Sequence, residues 1–215
     1  MSLDVKENFI NISGSSIFHR FSYRNENKRS IVLLHGWSFT SQNWKDVGAF
    51  EKFDKLSMNV YAFDYPGFGK SPSSSTYGIN RGDLKNGPIM LRDYMHAVGL
   101  DHANVLGASM GGGMVLKAAL SFPDLIDSVV AVAPAWLEPE KENLVNIKAP
   151  VLLVWGENDI VVPPSLGKEY SHLIKDCKLV IVHNSKHPVY IDQTDQFFKI
   201  VNDFYTEQFG KKASL

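Results

Sequence analysis

The sequence lacks most of the features that would assign a chain to a specialised class of protein. Cys177 is the one cysteine among 215 residues, so no intrachain disulfide can form, and no Cys/His spacing typical of a zinc site occurs. Lys and Arg total 22 against 23 for Asp and Glu. The resulting formal net charge of −1 argues against binding nucleic acid or a membrane surface through bulk charge.

Long apolar segments are also missing. No run of about 18 apolar residues is present, so the sequence predicts no membrane-spanning helix. The segment from Met1 to Asn8 is too polar for a signal peptide. We therefore expect a cytoplasmic protein that binds neither nucleic acid nor membranes.

The apolar residues that are present follow two periodicities in alternation. Continuous apolar runs predict strands buried on both faces of a sheet, at 31–34, 60–63, 103–108, 129–133, 150–155 and 179–182. Helical spacing lies between them, at 41–55, within 80–98, and at 110–121, 165–175 and 193–209. Segments 5–12 and 15–24 alternate apolar and polar residues and predict a hairpin at one edge. The pattern predicts an α/β fold with a mostly parallel sheet and helices on both faces, in a single domain over 1–215.

Short polar motifs follow the predicted strands, each just past a strand's end. The first is G-x-S-x-G, in which Ser109 lies between Gly107 and Gly111, after one strand and before the next helix. This is the pattern of a nucleophile elbow, where a serine sits on a sharp strand-to-helix turn. Because ligands of such folds bind beyond the carboxyl ends of the parallel strands, we expect these motifs to meet at one site.

Ser109, Asp159 and His187 are the candidate catalytic residues. A serine hydroxyl is nearly inert until a neighbouring base takes its proton, and imidazole is suited to that task. His187 follows the last strand and Asp159 the penultimate one, which gives the chain order Ser, acid, His. Glu157 and His183 are rivals by proximity. Each candidate also has a plain structural alternative, as a helix cap, a turn aspartate or an exposed loop histidine.

Two backbone amides are expected to form an oxyanion hole. One belongs to Met110, the residue after the candidate nucleophile. The second comes from the loop after strand 31–34, where the N–H of Trp37 is the candidate donor. Gly36 lets this backbone approach closely, and we interpret His35 as a structural residue at the strand end.

Nucleotide and metal chemistry find no support in the sequence. The segment Gly67-Phe68-Gly69-Lys70-Ser71 is rich in glycine but lacks the spacing of a phosphate-binding loop. The glycines around Ser109 do not form G-x-G-x-x-G, and the carboxylates show no clustering typical of metal ligands. We expect neither a bound nucleotide nor a metal.

Taken together, the motifs resemble those of the α/β-hydrolases over nearly the whole chain. The resemblance rests on His35-Gly36, Asp64-Tyr65-Pro66-Gly67-Phe68-Gly69-Lys70-Ser71, Gly107-Ala108-Ser109-Met110-Gly111-Gly112, Gly156-Glu157-Asn158-Asp159 and His187. The short length and the segment His187-Pro188-Val189-Tyr190-Ile191-Asp192 are similar to the small CIB-like hydrolases. The resemblance implies an eight-stranded sheet with an antiparallel second strand, a triad of Ser109, Asp159 and His187, and no cofactor.

Larger α/β-hydrolases insert a cap of tens of residues after the sixth strand, and this chain has no room for one. About a dozen residues separate Pro134 from Ile147, too few for a helical lid domain. We therefore expect a shallow, open site that the 72–88 loop could partly cover. Motif position assigns its substrate-binding rim to Phe39, Phe68, Trp136, Leu137, Val161 and Tyr190, beside Trp37 and Met110.

The resulting hypothesis is a serine hydrolase of the carboxylesterase type, which cleaves a small ester or other small-molecule acyl substrate through an acyl-enzyme. Two alternatives stay open. The same three residues serve acyl transfer to another acceptor or amide cleavage, so the sequence does not separate these reactions. The other alternative is a non-catalytic protein-interaction module on the same fold, although such a module has no need of all three residues.

Overall fold

The computed structural model describes residues 3–26 and 28–212, and its central element is an eight-stranded sheet. The strands are β1 (Lys6–Ile12), β2 (Ser15–Ser22), β3 (Ser30–Leu34), β4 (Asn59–Phe63), β5 (Ala103–Ala108), β6 (Ile126–Val132), β7 (Val151–Gly156) and β8 (Cys177–Val182). Their order across the sheet is β1-β2-β4-β3-β5-β6-β7-β8. β2 pairs antiparallel with β1 and β4, and all other neighbours are parallel. The predicted fold class and the antiparallel second strand are therefore confirmed.

Helices cover both faces of this sheet. They are α1 (Ser41–Asp46), α2 (Ala49–Lys55), α3 (Gly87–Ala97), α4 (Met110–Ser121), α5 (Pro164–Leu173), α6 (Val189–Asp192) and α7 (Thr194–Lys212). α3, α4 and α5 pack on one face, and α1, α2, α6 and α7 on the other. Short 3₁₀ segments lie at Pro123–Leu125 and Glu138–Asn146. Within 3–26 and 28–212, no helix is both long enough and apolar enough to cross a membrane.

The central strands are apolar throughout because both of their faces are covered. Successive side chains of a strand point to opposite faces, so neither face of such a strand can carry polar residues. In β3, Val32 and Leu34 join the core beneath α3 and α4, whereas Ile31 and Leu33 join the core beneath α1, α2 and α7. All four side chains are fully buried, which explains the uninterrupted apolar run in the sequence.

One predicted helix is wrong in its extent, because the structure divides the 41–55 segment in two. α1 ends at Asp46 and α2 begins at Ala49, with Gly48 between them at a φ of 71°. This left-handed conformation favours glycine and interrupts the α-helical hydrogen bonds. The helix predicted within 80–98 begins at Gly87 and has a proline in its first turn.

The strand register brings four loops to one edge of the sheet. Leu34 of β3 pairs with Gly107 of β5, and Ala108 of β5 pairs with Val132 of β6. Val132 in turn pairs with Val154 of β7. The loops after β3, β5, β6 and β7 therefore emerge side by side, at the carboxyl edge where such folds bind ligands.

Candidate active site

Ser109 occupies a strained turn between β5 and α4. Its φ is 54° and its ψ is −116°, and α4 begins at the next residue, Met110. A positive φ costs energy in any residue with a Cβ and persists only where the surroundings impose it. Here the Ser109 N–H donates to the Val132 carbonyl at 2.8 Å, and its own carbonyl accepts from Gly113 and Ala135 at 3.0 Å. These hydrogen bonds hold the serine at the tip of the turn.

The two glycines of G-x-S-x-G are required by close backbone packing. A Cβ on Gly107 would collide with the Gly111 carbonyl, and a Cβ on Gly111 would collide with the Leu34 carbonyl at the end of β3. The turn can therefore fold this tightly only with glycine on both sides of Ser109.

Asp159 and His187 form a buried pair on neighbouring loops. The His187 Nδ1 lies 2.7 Å from the Asp159 Oδ2, and the two side chains are 9% and 0% exposed. The other carboxylate oxygen of Asp159 accepts from the amides of Val161 and Val162 at 2.8 and 2.9 Å. The aspartate is thus fixed by its own loop, with one oxygen left to orient the imidazole.

The loop that carries His187 is anchored independently of that pair. The Asp192 Oδ2 accepts from the Lys186 amide at 2.9 Å and from the Ser185 hydroxyl at 3.1 Å. The hydrogen bond from Lys186 lowers the pKa of the Asp192 carboxyl below its usual value. Gly156, at the end of β7, leaves room for this loop, because a Cβ there would lie 2.5 Å from the Ser185 carbonyl oxygen.

Ser109 and His187 line one cavity of about 410 Å³. In the described part of the chain, no hydrogen bond joins the Ser109 hydroxyl to the imidazole. Such bonds are often long in the absence of substrate and shorten in the complex. The arrangement thus offers a hydroxyl and a carboxylate-oriented imidazole on one accessible surface.

The two amides predicted for the oxyanion hole belong to Met110, which follows Ser109, and to Trp37, which follows Gly36. Met110 is the first residue of α4, where the N–H has no partner within the helix. Gly36 packs against the same turn, since a Cβ on Gly36 would lie 3.5 Å from the Ser109 Cβ. The Trp37 amide follows directly, and among the described residues it has no hydrogen-bond acceptor. Both N–H groups are therefore free for a ligand.

Four of the predicted rim residues line the cavity. These are Trp37, Phe39, Trp136 and Val161. Trp37 and Trp136 meet edge to face, with ring centroids 5.6 Å apart. The 72–88 loop contributes Arg81 to this cavity. Other residues of the loop line a second, separate cavity, which Trp37 also lines.

The structure does not bring Phe68, Leu137 or Tyr190 to the cavity, which corrects their predicted place on the rim. Leu137 is 1% exposed and Tyr190 is fully buried, with its ring stacked on Trp44 at 4.2 Å. Phe68 packs edge to face behind Trp37 at 5.2 Å and lines the neighbouring cavity. All three residues lie in or next to a motif along the chain. The side chains of Leu137 and Tyr190 point into the core, and that of Phe68 points into the neighbouring cavity.

Sequence reasoning missed two charged residues of the cavity wall, Arg81 and Glu138. Both are exposed. Arg81 lies in an irregular loop, and Glu138 begins the 3₁₀ segment after β6. Irregular segments show no periodicity, so no sequence signal indicates which of their side chains face a cavity.

The rival acid and histidine pair with each other at the surface. The His183 Nδ1 lies 2.7 Å from the Glu157 Oε2, with side chains 77% and 46% exposed. The Asn184 amide also donates to Glu157, and this hydrogen bond lowers the pKa of that carboxyl. Neither side chain lines the cavity that contains Ser109.

His35 is bound on both ring nitrogens inside the protein. Its Nε2 accepts from the Tyr65 amide at 3.1 Å, so its Nδ1 carries the proton and donates to the Gly36 carbonyl at 2.8 Å. Burial lowers the pKa of His35 to about 4, which keeps the ring neutral near neutral pH. These contacts hold the loop that carries Trp37.

Asp64 plays a comparable role in the loop after β4. Its carboxylate accepts from the Ser41 amide at 2.7 Å and from the Lys70 amide at 2.9 Å. The segment of residues 64–71 is therefore a turn closed around its own aspartate. In the described chain, no group of three or more His, Cys, Asp or Glu side chains is placed to hold a metal ion.

Comparison with known proteins agrees with this architecture. The family model of the alpha/beta hydrolase fold matches residues 29–147, and a model described as TAP-like protein matches residues 129–207. The chain belongs to the α/β-hydrolase fold family and is a hydrolase.

Its similarity extends to the small members of that family. The crystal structure of a predicted CIB-like hydrolase from Thermoplasma acidophilum matches with a TM-score of 0.92 and 46% identity, over 95% of this chain and 99% of that one. The resemblance to the CIB-like hydrolases is thereby confirmed.

Two more distant relatives differ in the chemistry their names describe. ABHD14B of Rattus norvegicus, whose name provisionally gives it a protein-lysine deacylase activity, is 24% identical over 96% of this chain and 98% of its own. Naproxen esterase of Bacillus subtilis is 18% identical with a TM-score of 0.80, over 94% of this chain and 92% of that one. The second likeness concerns the fold alone.

Proposed function

We propose that this hydrolase cleaves a small ester through Ser109, His187 and Asp159. The observation that carries the proposal is the buried 2.7 Å contact between His187 and Asp159, on the wall of the cavity that also contains the strained Ser109. An imidazole that donates its Nδ1 proton to a carboxylate presents a basic Nε2 on its other side.

The proposed reaction proceeds in two halves. The His187 Nε2 takes the proton of the Ser109 hydroxyl while the oxygen attacks the ester carbonyl carbon. The N–H groups of Met110 and Trp37 stabilise the oxyanion, each by about 3 kcal/mol. The imidazolium then gives its proton to the departing alcohol, which leaves an acyl group on Ser109. A water molecule that His187 deprotonates releases the carboxylic acid and restores the serine.

The apolar wall of the cavity suits an acyl group. Trp37, Phe39, Trp136 and Val161 surround the opening and would hold a hydrocarbon chain out of water. After β6 the chain forms the 3₁₀ segment Glu138–Asn146 rather than a cap domain. An acyl ester would therefore reach Ser109 directly from solvent.

Covalent labelling with a fluorophosphonate tests the nucleophile. We expect one adduct, on Ser109, located by mass spectrometry of tryptic peptides. Ser109→Ala should abolish both the label and the hydrolysis of p-nitrophenyl acetate. Ser38 lines the same cavity, so Ser38→Ala is the matched control and should still be labelled. An adduct on another serine, or full esterase activity in Ser109→Ala, would refute the mechanism.

Three further variants test the proposed acid against the rival residues. Asp159→Asn should lower kcat by about 10³–10⁴-fold, because the amide cannot hold the required tautomer of His187. Glu157→Gln and His183→Gln change the rival acid and histidine on the loops that carry Asp159 and His187, and should leave kcat within about twofold, since both side chains lie at the surface. Equal losses in Asp159→Asn and Glu157→Gln would contradict the assignment.

Amide cleavage is the second candidate, and the name of the rat relative favours it. That protein matches almost the whole chain and is named for removal of acyl groups from protein lysines. The same steps apply, with His187 giving its proton to a departing amine. Mass spectrometry of an acetyl-lysine peptide after incubation with the protein measures this reaction. Loss of the acetyl group that requires Ser109 would place the activity on amides rather than esters alone.

A further inference from the structure

Two exposed charges of opposite sign stand on the wall of the cavity that contains Ser109. They are the Arg81 guanidinium, from the 72–88 loop, and the Glu138 carboxylate, from the segment after β6. Among the described residues, they are the Arg, Lys, Asp or Glu side chains that line the cavity. Most of the remaining wall is apolar, with Trp37, Phe39, Trp136, Val161 and Leu166 as its larger side chains.

Neither charge is neutralised by an ion pair in the part of the chain that the structure describes. Arg81 and Glu138 make no salt bridge with each other or with any other described side chain. Lys141 lies near Glu138, but its ammonium bonds Glu169 at 2.6 Å, and that hydrogen bond is the largest cause of the raised pKa of Lys141. Glu138 also attracts Lys141 at longer range, but no salt bridge among the described residues holds its carboxylate or the Arg81 guanidinium, so the cavity presents one cation and one anion that a ligand can reach.

We propose that the preferred substrate is a zwitterionic acyl ester, with an apolar acyl group on one side of the scissile bond and both charges on the other. Arg81 would bind the anionic group, since a guanidinium donates two parallel hydrogen bonds to a carboxylate. Glu138 would bind the cationic group. The apolar wall near Ser109 would hold the acyl chain. This inference rests on the proposed esterase function, since it concerns the substrate of the same site.

Four butyrate esters that differ in their charged groups test the proposal. Butyrylcarnitine carries both charges, butyrylcholine only the cation, 3-butyryloxybutanoate only the anion, and isopropyl butyrate neither. Hydrolysis of each is followed in a pH-stat as release of butyrate. Each exposed ion pair should raise kcat/KM by up to about fivefold, so the order is the zwitterion first and the neutral ester last. High salt should compress the differences, because it screens exposed charges.

Variants assign each preference to its residue. Arg81→Gln should lower kcat/KM about fivefold for the two esters with a carboxylate and leave the other two unchanged. Glu138→Gln should do the same for the two esters with an ammonium group. Lys85→Gln and Glu142→Gln are matched controls, because these exposed charges lie in the same segments but do not line the cavity. They should leave all four ratios unchanged.

A binding measurement separates this inference from the proposed function. Saturation-transfer NMR on the Ser109→Ala protein ranks the affinities of the four esters without turnover. The inference stands, even where no ester is hydrolysed, if two results are found. The affinities of the four esters for Ser109→Ala must follow their charges, and this order must change when Arg81→Gln or Glu138→Gln is added. If hydrolysis requires Ser109 but neither variant alters the charge preference, the inference is overturned while the esterase function stands. A preference that depends on only one of the two residues overturns it as well.

Discussion

Replacing Ser109 by glycine should make the protein more stable while it abolishes activity. Ser109 adopts a φ of 54° and a ψ of −116°, a conformation that residues with a Cβ rarely adopt and that glycine adopts freely. Backbone strain of this kind costs about 1–3 kcal/mol. The glycine variant removes that cost, and the structure gives the hydroxyl no hydrogen-bond partner among the described residues whose loss would offset the gain.

The size of the gain follows from two opposing effects. Glycine loses more conformational entropy on folding than other residues, which costs about 0.5–1 kcal/mol. The net gain is therefore about 0–2.5 kcal/mol, centred near 1 kcal/mol. For a chain of 215 residues, 1 kcal/mol corresponds to about 2–4 °C in Tm. With a net gain centred near 1 kcal/mol, we expect Ser109→Gly to melt about 2–4 °C above the wild type.

Ser109→Ala is the control that separates strain from the loss of the hydroxyl. Alanine keeps a Cβ, so it keeps the strained backbone, and its Tm should stay within about 2 °C of the wild type. Thermal unfolding followed by circular dichroism or calorimetry measures all three proteins under the same conditions. A Ser109→Gly protein that melts at or below the Tm of Ser109→Ala would refute the reasoning from strain.

Two further predictions concern the surroundings of this turn. Gly111→Ala should destabilise the protein by about 3 kcal/mol or more and reduce activity, because the new methyl group would collide with the Leu34 carbonyl; chemical denaturation checks this. Acidification should also destabilise it. Since the pKa of buried His35 is about 4, below the 6.5 of an unfolded histidine, the unfolded state binds more protons between these values. Stability from His35 is complete above pH 6.5 and falls by about 3 kcal/mol towards pH 4. Urea unfolding of the wild type and His35→Gln at pH 7 and 4.5 measures the free energy of unfolding at each pH. An equal loss of this free energy in the two proteins between pH 7 and 4.5 would contradict the prediction.

Much of the fold could be predicted because its strands are buried on both faces. β3, β4 and β5 contain apolar residues at almost every position, and such runs are visible without any knowledge of neighbours. The hairpin of β1 and β2 was equally clear from alternation around Ser13-Gly14. The split between α1 and α2 could not be predicted. A glycine within a helical periodicity does not by itself indicate a left-handed φ, which is what Gly48 adopts.

The wall of the cavity could not be predicted residue by residue. Trp136 and Leu137 are neighbours after β6, but the first lines the cavity and the second is buried. Tyr190 follows the His187 motif and nevertheless stacks beneath the loop on Trp44. The direction of such side chains depends on elements far away in sequence. Their roles in substrate binding, like those of the candidate triad and the single-domain organisation, stay predictions for the experiments above.

The sequence by itself determined the chemistry available and its order along the chain. Apolar periodicity placed the strands, and strand polarity placed Ser109 and the later acids and histidines at one edge of the sheet. The sequence favoured Asp159 and His187 and left Glu157 and His183, two and four residues away along the chain, as rivals. Only the tertiary structure shows that the two pairs differ in burial. The first pair is buried against the cavity and the second is exposed at the surface. The physical reason is that burial depends on how β7, β8 and their loops pack, and spacing along the chain does not record that packing.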